Sequence, residues 1–396
     1  MDNQKHVAFI VFSKVKEHVA QSSRMLAMSK GLHQNGCVVE WIVLSHYVDQ
    51  NILDQYSDTI LFTKVGMLPS SIRYVSTLMS YLNVFALIAL FRTRRNSLPK
   101  ACFLSIDSFI ILKTIQLMLK HFKIKIFHER GEFPYYQGKV SIFRKINLDL
   151  YMKYAVPSFD AIFLISSALV DYFQEAVGTG NSKTKIKLLP MLVEEDVYAK
   201  DDEQSNELPT NHQNIVYTGT MYGDKDGVYD LITAYGQICG DIPHSRLILI
   251  GNNKEKEKMK KNLSALEELS CKENVIFTGL LGKKDLIKWL KSAYCLALAR
   301  PDNQQAKYGF PTKLGEYLAT GRPVVITSVG DIPLYLKDGI NAYVSAPDDP
   351  QAFAQKLRDC LSDEQAAKRI GETGRSLVNE VFNPARATKM IVDELA

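Results

Sequence analysis

The chain alternates short apolar runs with segments of helical length, and this alternation limits the folds that it can adopt. Residues 6–12 (HVAFIVF) have the composition of a buried strand, residues 17–34 have helical spacing, and residues 37–44 form a second apolar run. Later runs at residues 246–251 and 274–279 end in glycine. Strands that alternate with helices are joined by crossovers, so we expect parallel sheets covered by helices on both faces.

The length and one polar segment predict two domains. A chain of 396 residues is longer than a single hydrophobic core usually supports. Residues 201–214 are polar, contain Pro209 and lack a hydrophobic period, which is typical of a linker. We therefore predict an α/β fold of two doubly wound, Rossmann-like domains that face a central cleft. Residues 1–200 form the first domain, residues 201–382 form the second, and residues 383–396 form a final helix.

Residues 308–325 (YGFPTKLGEYLATGRPVV) have the pattern of an anion site. The turn of Gly309, Phe310 and Pro311 interrupts any preceding helix, and Thr312 is a suitable N-cap for the next one. The predicted helix covers residues 312–320, and its free N–H groups and dipole favour an anion such as a diphosphate. Lys313 adds charge at this helix start. Glu316 lies one turn further along the helix, where its carboxylate could accept hydrogen bonds from a ribose diol.

A second loop of this kind follows the strand predicted at residues 214–218. It runs from Gly219 to Gly227 and carries Thr220 and Lys225, of which the lysine can neutralise a phosphate. The alternative for Lys225 is a solvated turn.

Two further glycines favour a nucleotide pocket. Gly251 and Gly279 end two predicted strands, where a backbone without side chains can approach a flat base closely. The first turn of the chain lacks the GxGxxG pattern, which disfavours a dinucleotide-dependent enzyme, and P-loop, HExxH and GxSxG patterns are absent from the sequence.

The segment 308–325 resembles the donor-sugar signature of glycosyltransferase family 4, whose members are nucleotide-sugar enzymes of the GT-B fold. In that family two glutamates flank a Gly-Phe-Pro turn. Glu316 matches the second glutamate, and Tyr308 occupies the position of the first. In the other loop, Lys225 matches the family lysine, whereas Thr220 occupies the position of an arginine. The resemblance extends in its general topology over most of the chain.

The resemblance implies a retaining transfer of a hexose-type unit. The donor would be a UDP- or GDP-sugar, and the acceptor a glycan or lipid-linked glycan in surface polysaccharide biosynthesis. The final helix would pack back on the N-terminal domain. Asp224 and Asp226 spell DxD, a metal-binding pattern of a different glycosyltransferase fold, but lysines and a helix start would neutralise the diphosphate here. We therefore expect no metal and no cofactor.

Residues 123–127 form another predicted strand, which delivers His128 and Glu129 to its carboxyl end. Open α/β sheets bind ligands at that edge, and a neutral imidazole is a competent base. By this interpretation, which the resemblance supports, His128 and Glu129 orient and deprotonate the acceptor hydroxyl. The alternative is a hydrogen-bonded structural histidine.

Residues 78–91 form the most apolar stretch and precede Arg92, Arg94 and Arg95. Fourteen residues are too few to span a bilayer, which needs about 20. The stretch is either a buried core helix or an interfacial helix whose three arginines contact anionic lipid. A second basic and aromatic run at residues 139–154 is consistent with the membrane interpretation.

The composition limits partners and compartment. A net charge of +5 is too small to indicate nucleic acid, which we do not expect as a partner. The six cysteines contain no CxxC pair, and no cleavable signal precedes the first strand. We therefore predict reduced thiols in a cytoplasmic protein, which would be peripheral to the inner face of the membrane if the interfacial helix is correct.

Two other functions stay open at this point. One is a sugar-nucleotide epimerase on the same fold, which would act on the donor without an acceptor. The other is a noncatalytic nucleotide-sugar-binding protein, which the residues Tyr308 and Thr220 at the two family positions make conceivable.

Overall fold

The computed structural model describes most of the chain. The described residues are 5–12, 14–16, 20–45, 47–66, 73–106, 108–134, 141–178, 182–195, 198, 212–223 and 225–396. The chain forms two compact units, which we call unit 1 (Met1–Leu192 with Pro384–Ala396) and unit 2 (Val193–Asn383). The division between the units falls a few residues before the predicted position at 200/201.

Unit 1 contains a parallel sheet with the strand order β3-β2-β1-β4-β5-β6-β7. Its central strands are almost wholly buried, because helices cover the sheet. The rings of Phe9 and Phe103 stack at 4.8 Å, and Phe127 and Phe163 pack against Phe103. The strands are β1 (His6–Val11), β2 (Val38–Val43), β3 (Leu61–Lys64), β4 (Ala101–Leu104), β5 (Lys125–Arg130), β6 (Ala161–Leu164) and β7 (Lys185–Leu188).

Helices connect these strands in the expected alternating order. They are α1 (Ala20–Gln34), α2 (Gln50–Tyr56), α3 (Arg73–Thr93), α4 (Phe109–His121), α5 (Ile142–Leu150) and α6 (Ser167–Gly178). A π-helical turn at Tyr151–Ala155 and a 3-10 turn at Val156–Ser158 follow α5.

Unit 2 contains a second parallel sheet, with the strand order β10-β9-β8-β11-β12-β13. Chain order reverses between the neighbours β8 and β11, which makes their carboxyl ends the topological switch point of the sheet. The strands are β8 (Gln213–Thr218), β9 (Ser245–Ile250), β10 (Val275–Gly279), β11 (Cys295–Leu298), β12 (Val324–Thr327) and β13 (Tyr343–Ser345).

The helices of unit 2 follow the same alternation. They are α7 (Val228–Gly236), α8 (Lys260–Glu267), α9 (Lys283–Ser292), α10 (Gln304–Tyr308), α11 (Thr312–Ala319), α12 (Ile332–Tyr335), α13 (Pro350–Ser362) and α14 (Glu364–Glu380), with 3-10 turns at Lys256–Met259 and Lys272–Asn274.

The last helix, α15 (Pro384–Asp393), belongs to unit 1 and packs against α1. The contact is close at Gly31, where an added Cβ would lie 2.3 Å from the carbonyl oxygen of Pro384. Asn35 Nδ2 donates to the Ala385 carbonyl at 2.7 Å. A residue without a side chain at position 31 therefore lets the two helices approach each other.

The predicted fold class, with two parallel α/β units of the Rossmann type, is confirmed. The prediction of reduced thiols is wrong for Cys239 and Cys271, which form a disulfide. The two cysteines are 32 residues apart, so no local spacing pattern indicates the pair. The other four cysteines are free and buried.

Candidate functional site

The segments predicted to bind a diphosphate meet at the switch point of the unit 2 sheet. The loop of residues 219–227 leaves β8, residues 299–303 leave β11, and α11 begins beside both. The hydroxyl of Tyr317 in α11 accepts a hydrogen bond of 2.8 Å from the backbone N–H of Thr218. This bond fixes the helix against the end of β8.

The start of α11 has the predicted position but a different cap. Pro311 occupies the N-cap, no side chain caps the helix, and Thr312 is its first helical residue. The prediction that Thr312 is the N-cap is therefore wrong. The first amides of a helix have no partner within it, and proline cannot shield them with a side-chain oxygen. The helix start thus keeps the donor groups and the partial positive charge that suit an anion.

Lys313 is joined to Asp226 at this helix start. Its Nζ lies 2.6 Å from Asp226 Oδ2, 3.3 Å from the Tyr217 hydroxyl and 4.7 Å from the centre of the Tyr217 ring. Burial lowers the pKa of Lys313, and Asp226 opposes this shift. Burial also raises the pKa of Asp226, but Lys313 and its other neighbours outweigh this effect and hold that pKa below its ordinary value. Lys313 thus lies at the helix start as predicted, with its charge compensated by Asp226.

Arg300 is a third basic residue at this edge, and the sequence analysis missed it. Its side chain is buried beneath the 219–227 loop, where Nε donates to the Lys225 carbonyl at 3.4 Å. Its Nη1 is buried with no hydrogen-bond partner among the described residues. The only signal in the sequence was an arginine immediately after a buried apolar strand. Arg300, Lys313 and the exposed Lys225 thus bring three basic groups to the switch point, where the described carboxylates of Asp226 and Glu316 also lie.

Glu316 lies on α11 one turn beyond Lys313 and is partly buried. Burial raises the pKa of its carboxyl group, while Lys313 and a hydrogen bond with Tyr198 oppose the shift. The pKa of Tyr198 is raised by burial and by Glu316. Glu316 therefore lies near the helix start with the Tyr198 hydroxyl as its partner, and its ribose role stays a prediction.

Three of the predicted glycines allow close backbone approach or an unusual backbone conformation. A Cβ on Gly251 would lie 1.9 Å from the carbonyl oxygen of Gly219, so the ends of β8 and β9 touch there. Gly219 and Gly279 have φ values of 145° and 75°, which favour glycine. Gly309 ends α10 with an ordinary negative φ. The chain therefore brings Gly251 and Gly279 to the edge where a base was predicted.

The remaining predicted donor residues divide into exposed and buried groups. Thr220 and Lys225 are exposed on the loop. Phe310 is buried, and its ring packs against Tyr335 and Phe382. The ring therefore anchors the Gly309–Pro311 turn to the core of unit 2, and a contact of Phe310 with the donor stays a prediction.

The predicted catalytic pair in unit 1 is structural. His128 is buried, its Nδ1 donates to the Leu104 carbonyl at 2.6 Å, and its Nε2 accepts from the Tyr151 hydroxyl at 3.0 Å. Burial, with a contribution from Arg130, lowers the pKa of His128 to about 3. Neither ring nitrogen can take a proton from a substrate in this arrangement. The base role is wrong because β5 continues to Arg130, so His128 lies within the strand and not beyond it.

Glu129 forms a buried ion pair with Arg24. The guanidinium of Arg24 also donates to the carbonyls of Pro190 and Leu189 at 2.9 and 2.8 Å. The carboxylate thus balances a buried cation that ties α1 to the end of β7, and the prediction that it orients an acceptor is wrong.

The three arginines predicted to contact lipid are not equivalent. Arg92 and Arg95 are exposed, but Arg94 Nη1 lies 2.7 Å from Oε1 of Glu40, which is buried. Glu40 also accepts from Thr63, and these partners hold its pKa at about 2 despite burial. Val84, Leu87 and Phe91 of α3 are buried, so one face of this helix is core. The described helices include none that is long and apolar enough to cross a membrane.

A cavity of about 490 Å³ lies beside the 219–227 loop. Its lining includes Gly223, Gly227, Lys258 and Lys261 but neither Lys313 nor Glu316, so it is distinct from the start of α11. Asp224 lies outside the described residues. Among the described residues, no group of three or more His, Cys, Asp or Glu side chains is arranged to hold a metal ion.

Comparison with known proteins identifies the family of unit 2. Residues 212–363 match the family model "Glycosyl transferases group 1". The match lies within unit 2 and covers less than half of the chain. The match contains the 219–227 loop, Arg300 and all of α11, which are the segments that meet at the switch point.

One curated relative of this chain is the N-acetyl-alpha-D-glucosaminyl L-malate synthase of Bacillus anthracis. The two are 24% identical over 240 residues, which are 60% of this chain and 59% of the relative. The alignment thus spans less than two thirds of that relative's length.

Two solved structures share the fold over nearly the whole chain. Sucrose-phosphate synthase from Thermosynechococcus elongatus has a TM-score of 0.74 at 17% identity and covers 99% of both chains. Anabaena HepE in complex with UDP-glucose has a TM-score of 0.69 at 15% identity, covering 98% of this chain and 99% of its own. At these identities the likeness establishes the fold alone.

Proposed function

We propose that this chain is a glycosyltransferase, namely a retaining hexosyltransferase of family 4 that uses a nucleoside diphosphate sugar. The observation that carries the proposal is the arrangement at the switch point of unit 2. There the uncapped start of α11 lies with the exposed Lys225 and the buried Arg300, which supply donor N–H groups and positive charge. Glu316 lies one helical turn away, which suits a ribose joined to the diphosphate.

In the proposed complex, each segment of the site holds a different part of the donor. The diphosphate binds the N–H groups at the start of α11 and the ammonium group of Lys225. Glu316 exchanges its bond with Tyr198 for bonds with the ribose hydroxyls. The base lies against the backbone at Gly251 and Gly279. As the bond from the anomeric carbon to the diphosphate breaks, the same positive groups stabilise the negative charge on the leaving group.

The proposed identities of the donor and the acceptor rest on fewer observations. HepE, which shares the fold, was solved with UDP-glucose, and this favours a UDP-sugar over a GDP-sugar as the donor. The proposed acceptor is a glycan or lipid-linked glycan in surface polysaccharide biosynthesis at the cytoplasmic face of the membrane. The buried His128 cannot accept the proton of the acceptor hydroxyl, so that proton must pass to another group. We also propose that transfer needs no metal ion or cofactor, because basic groups and the helix start meet the diphosphate charge.

The test is incubation of the full chain with a panel of UDP- and GDP-sugars, with and without glycan acceptors and with and without EDTA. The proposal expects acceptor-dependent release of nucleoside diphosphate that persists in chelator. Conversion of the donor to a second nucleotide sugar without acceptor would instead identify an epimerase. Binding without turnover on any acceptor would identify a noncatalytic protein, and activity restored only by manganese or magnesium would overturn the metal-free mechanism.

A further inference from the structure

Helix α5 of unit 1 has an apolar face that nothing in the described part of the chain covers. None of its nine residues is buried, and Ile142, Phe143 and Ile146 are exposed by 69%, 81% and 50%. A helix this short is unstable alone in water and normally gains its stability from packing an apolar face. Three large apolar side chains on one uncovered helix therefore indicate a partner surface.

This helix is held in place and is not a loose segment. The Ser141 hydroxyl caps it by accepting from the Arg144 N–H at 3.4 Å. At its other end, Asn147 Oδ1 accepts from the Phe109 N–H at 2.9 Å, which joins α5 to the first turn of α4. The exposed face of α5 is thus presented by the fold.

The neighbouring helix α4 extends the same kind of surface. Ile110 and Leu117 are each 61% exposed, and they are two helical turns apart on one face. Lys120 is exposed in the turn that follows, and Lys113 lies between the two apolar residues, where its Nζ donates to the Tyr154 carbonyl at 2.8 Å and to the Ser158 hydroxyl at 2.6 Å. Such an alternation of apolar and basic residues suits an interface between water and an apolar phase. The apolar side chains leave the water there, and the ammonium groups stay in it. We call Ile110, Leu117, Ile142, Phe143 and Ile146 the α4–α5 surface.

The charge around this surface is almost entirely of one sign. Helix α4 contains two lysines, and helix α5 contains an arginine and a lysine. Asp149 is the one acidic residue of the two helices. Lys153 lies exposed in the following turn, over the ring of Tyr154. A second copy of the chain would bring the same basic residues against one another, which disfavours a symmetric dimer. An anionic lipid surface complements both the charge and the apolar side chains.

We propose that the α4–α5 surface docks on an anionic lipid bilayer, with Ile142, Phe143 and Ile146 inserted at the headgroup boundary. This site differs from the predicted contact at Arg92, Arg94 and Arg95, of which Arg94 is engaged with Glu40. The inference does not depend on the transfer reaction, so its failure would leave the donor site untouched.

The first test is sedimentation of the full chain with vesicles of phosphatidylcholine alone or mixed with an equal amount of phosphatidylglycerol. We expect binding to the mixed vesicles only. The double variant Ile142→Ser/Phe143→Ser should bind them about tenfold or more weakly, because each side chain leaves water on insertion. The matched control is Leu61→Ser/Ile340→Ser, which replaces side chains that are 55% and 61% exposed elsewhere and should bind as the unchanged protein does.

The second test concerns charge. Replacing Lys120, Lys145 and Lys153 together by Gln should weaken binding by more than tenfold, since each basic residue near an anionic surface contributes about fivefold. The same substitution of Lys260, Lys272 and Lys368 in unit 2 should have no effect. Circular dichroism and the unfolding temperature of each variant must match those of the unchanged protein for the comparison to count as support.

Three results would overturn the proposal. The first is an unchanged protein that fails to sediment with mixed vesicles at low salt, and the second is equal binding by the Ile142→Ser/Phe143→Ser variant and its control. The third is a concentration-dependent dimer, seen by light scattering, that this double variant converts to a monomer, because a second copy would then cover the surface.

Discussion

The pair of Lys313 and Asp226 gives the candidate site its local electrostatics. Both side chains are largely removed from water, with exposed fractions of 16% and 5%. A buried charge is tolerated only with a partner, so each residue requires the other. In the sequence Asp226 was noted only as part of the DxD pattern, yet it forms an ion pair with Lys313 beside the start of α11.

We predict that Lys313→Ala lowers the free energy of unfolding of unit 2 by about 3–5 kcal/mol, because it leaves Asp226 buried without its cation. Lys313→Met combined with Asp226→Asn should regain most of that stability, since no unpaired charge remains. Urea unfolding of the full chain measures both. A single Lys313→Ala variant as stable as the unchanged protein would show that the pair contributes nothing to the fold.

His128 makes the stability of unit 1 depend on pH. Its pKa is about 3 in the folded protein against an ordinary value of 6.5, so between these values the unfolded chain binds a proton that the folded chain does not. Stability is therefore fully present above pH 6.5 and falls as the pH is lowered toward 3, by about 1.4 kcal/mol per pH unit. Glu40, with a folded pKa of about 2, adds a loss below its ordinary value of 4.5.

Replacing His128 by Phe should remove the part of this pH dependence that lies between pH 6.5 and 4.5. The ring could still stack on Phe159, 5.0 Å away, but the Tyr151 hydroxyl and Leu104 carbonyl would lose a partner, so the variant should be less stable at neutral pH. Unfolding midpoints measured across this range provide the test. An equally steep dependence in the variant would mean that other groups cause it.

At the scale of elements, the site depends on the contact between the ends of β8 and β9. Gly251 approaches Gly219 so closely that a side chain at position 251 would collide with the Gly219 carbonyl oxygen, and the 219–227 loop would have to shift. Gly219 is restricted further by its φ of 145°. The two glycines thus allow the close contact at the start of the loop that carries Lys225.

We predict that Gly251→Ala destabilises unit 2 by about 1–3 kcal/mol and weakens nucleoside diphosphate binding, because the new Cβ meets backbone and not a flexible side chain. Gly240→Ala is the matched control, since a Cβ there meets nothing within 4 Å. Thermal unfolding and calorimetry of both variants test this. Equal behaviour of the two variants would contradict the close contact.

The strands and most helices could be predicted from the sequence because their apolar spacing is a local property. The side-chain environment of His128 could not, since it depends on how far β5 extends and on Tyr151, which lies 23 residues away. The N-cap of α11 was misassigned by one residue, because both Pro311 and Thr312 are common at helix starts.

At the scale of the whole molecule, the site combines segments that are far apart in the chain. Arg300 lies 75 residues from Lys225, and Lys313 lies 87 residues from Asp226. Sheet topology brings them to one edge, since the carboxyl ends of parallel strands share an edge. The sequence was therefore sufficient to predict that the loops at residues 219–227 and 309–313 lie together. The position of Arg300 and the pairing of Lys313 with Asp226 could be seen only in the structure.

The central claim is that α11 holds the diphosphate and ribose of a nucleotide-sugar donor. Calorimetric titration of the full chain with UDP tests it most directly, comparing the unchanged protein with Glu316→Ala and with Glu372→Ala, which removes an exposed carboxylate of α14. We predict that Glu316→Ala weakens binding by about 10- to 100-fold, because it removes charge-assisted hydrogen bonds, while Glu372→Ala has no effect. Equal UDP affinity in all three proteins would contradict the proposed site.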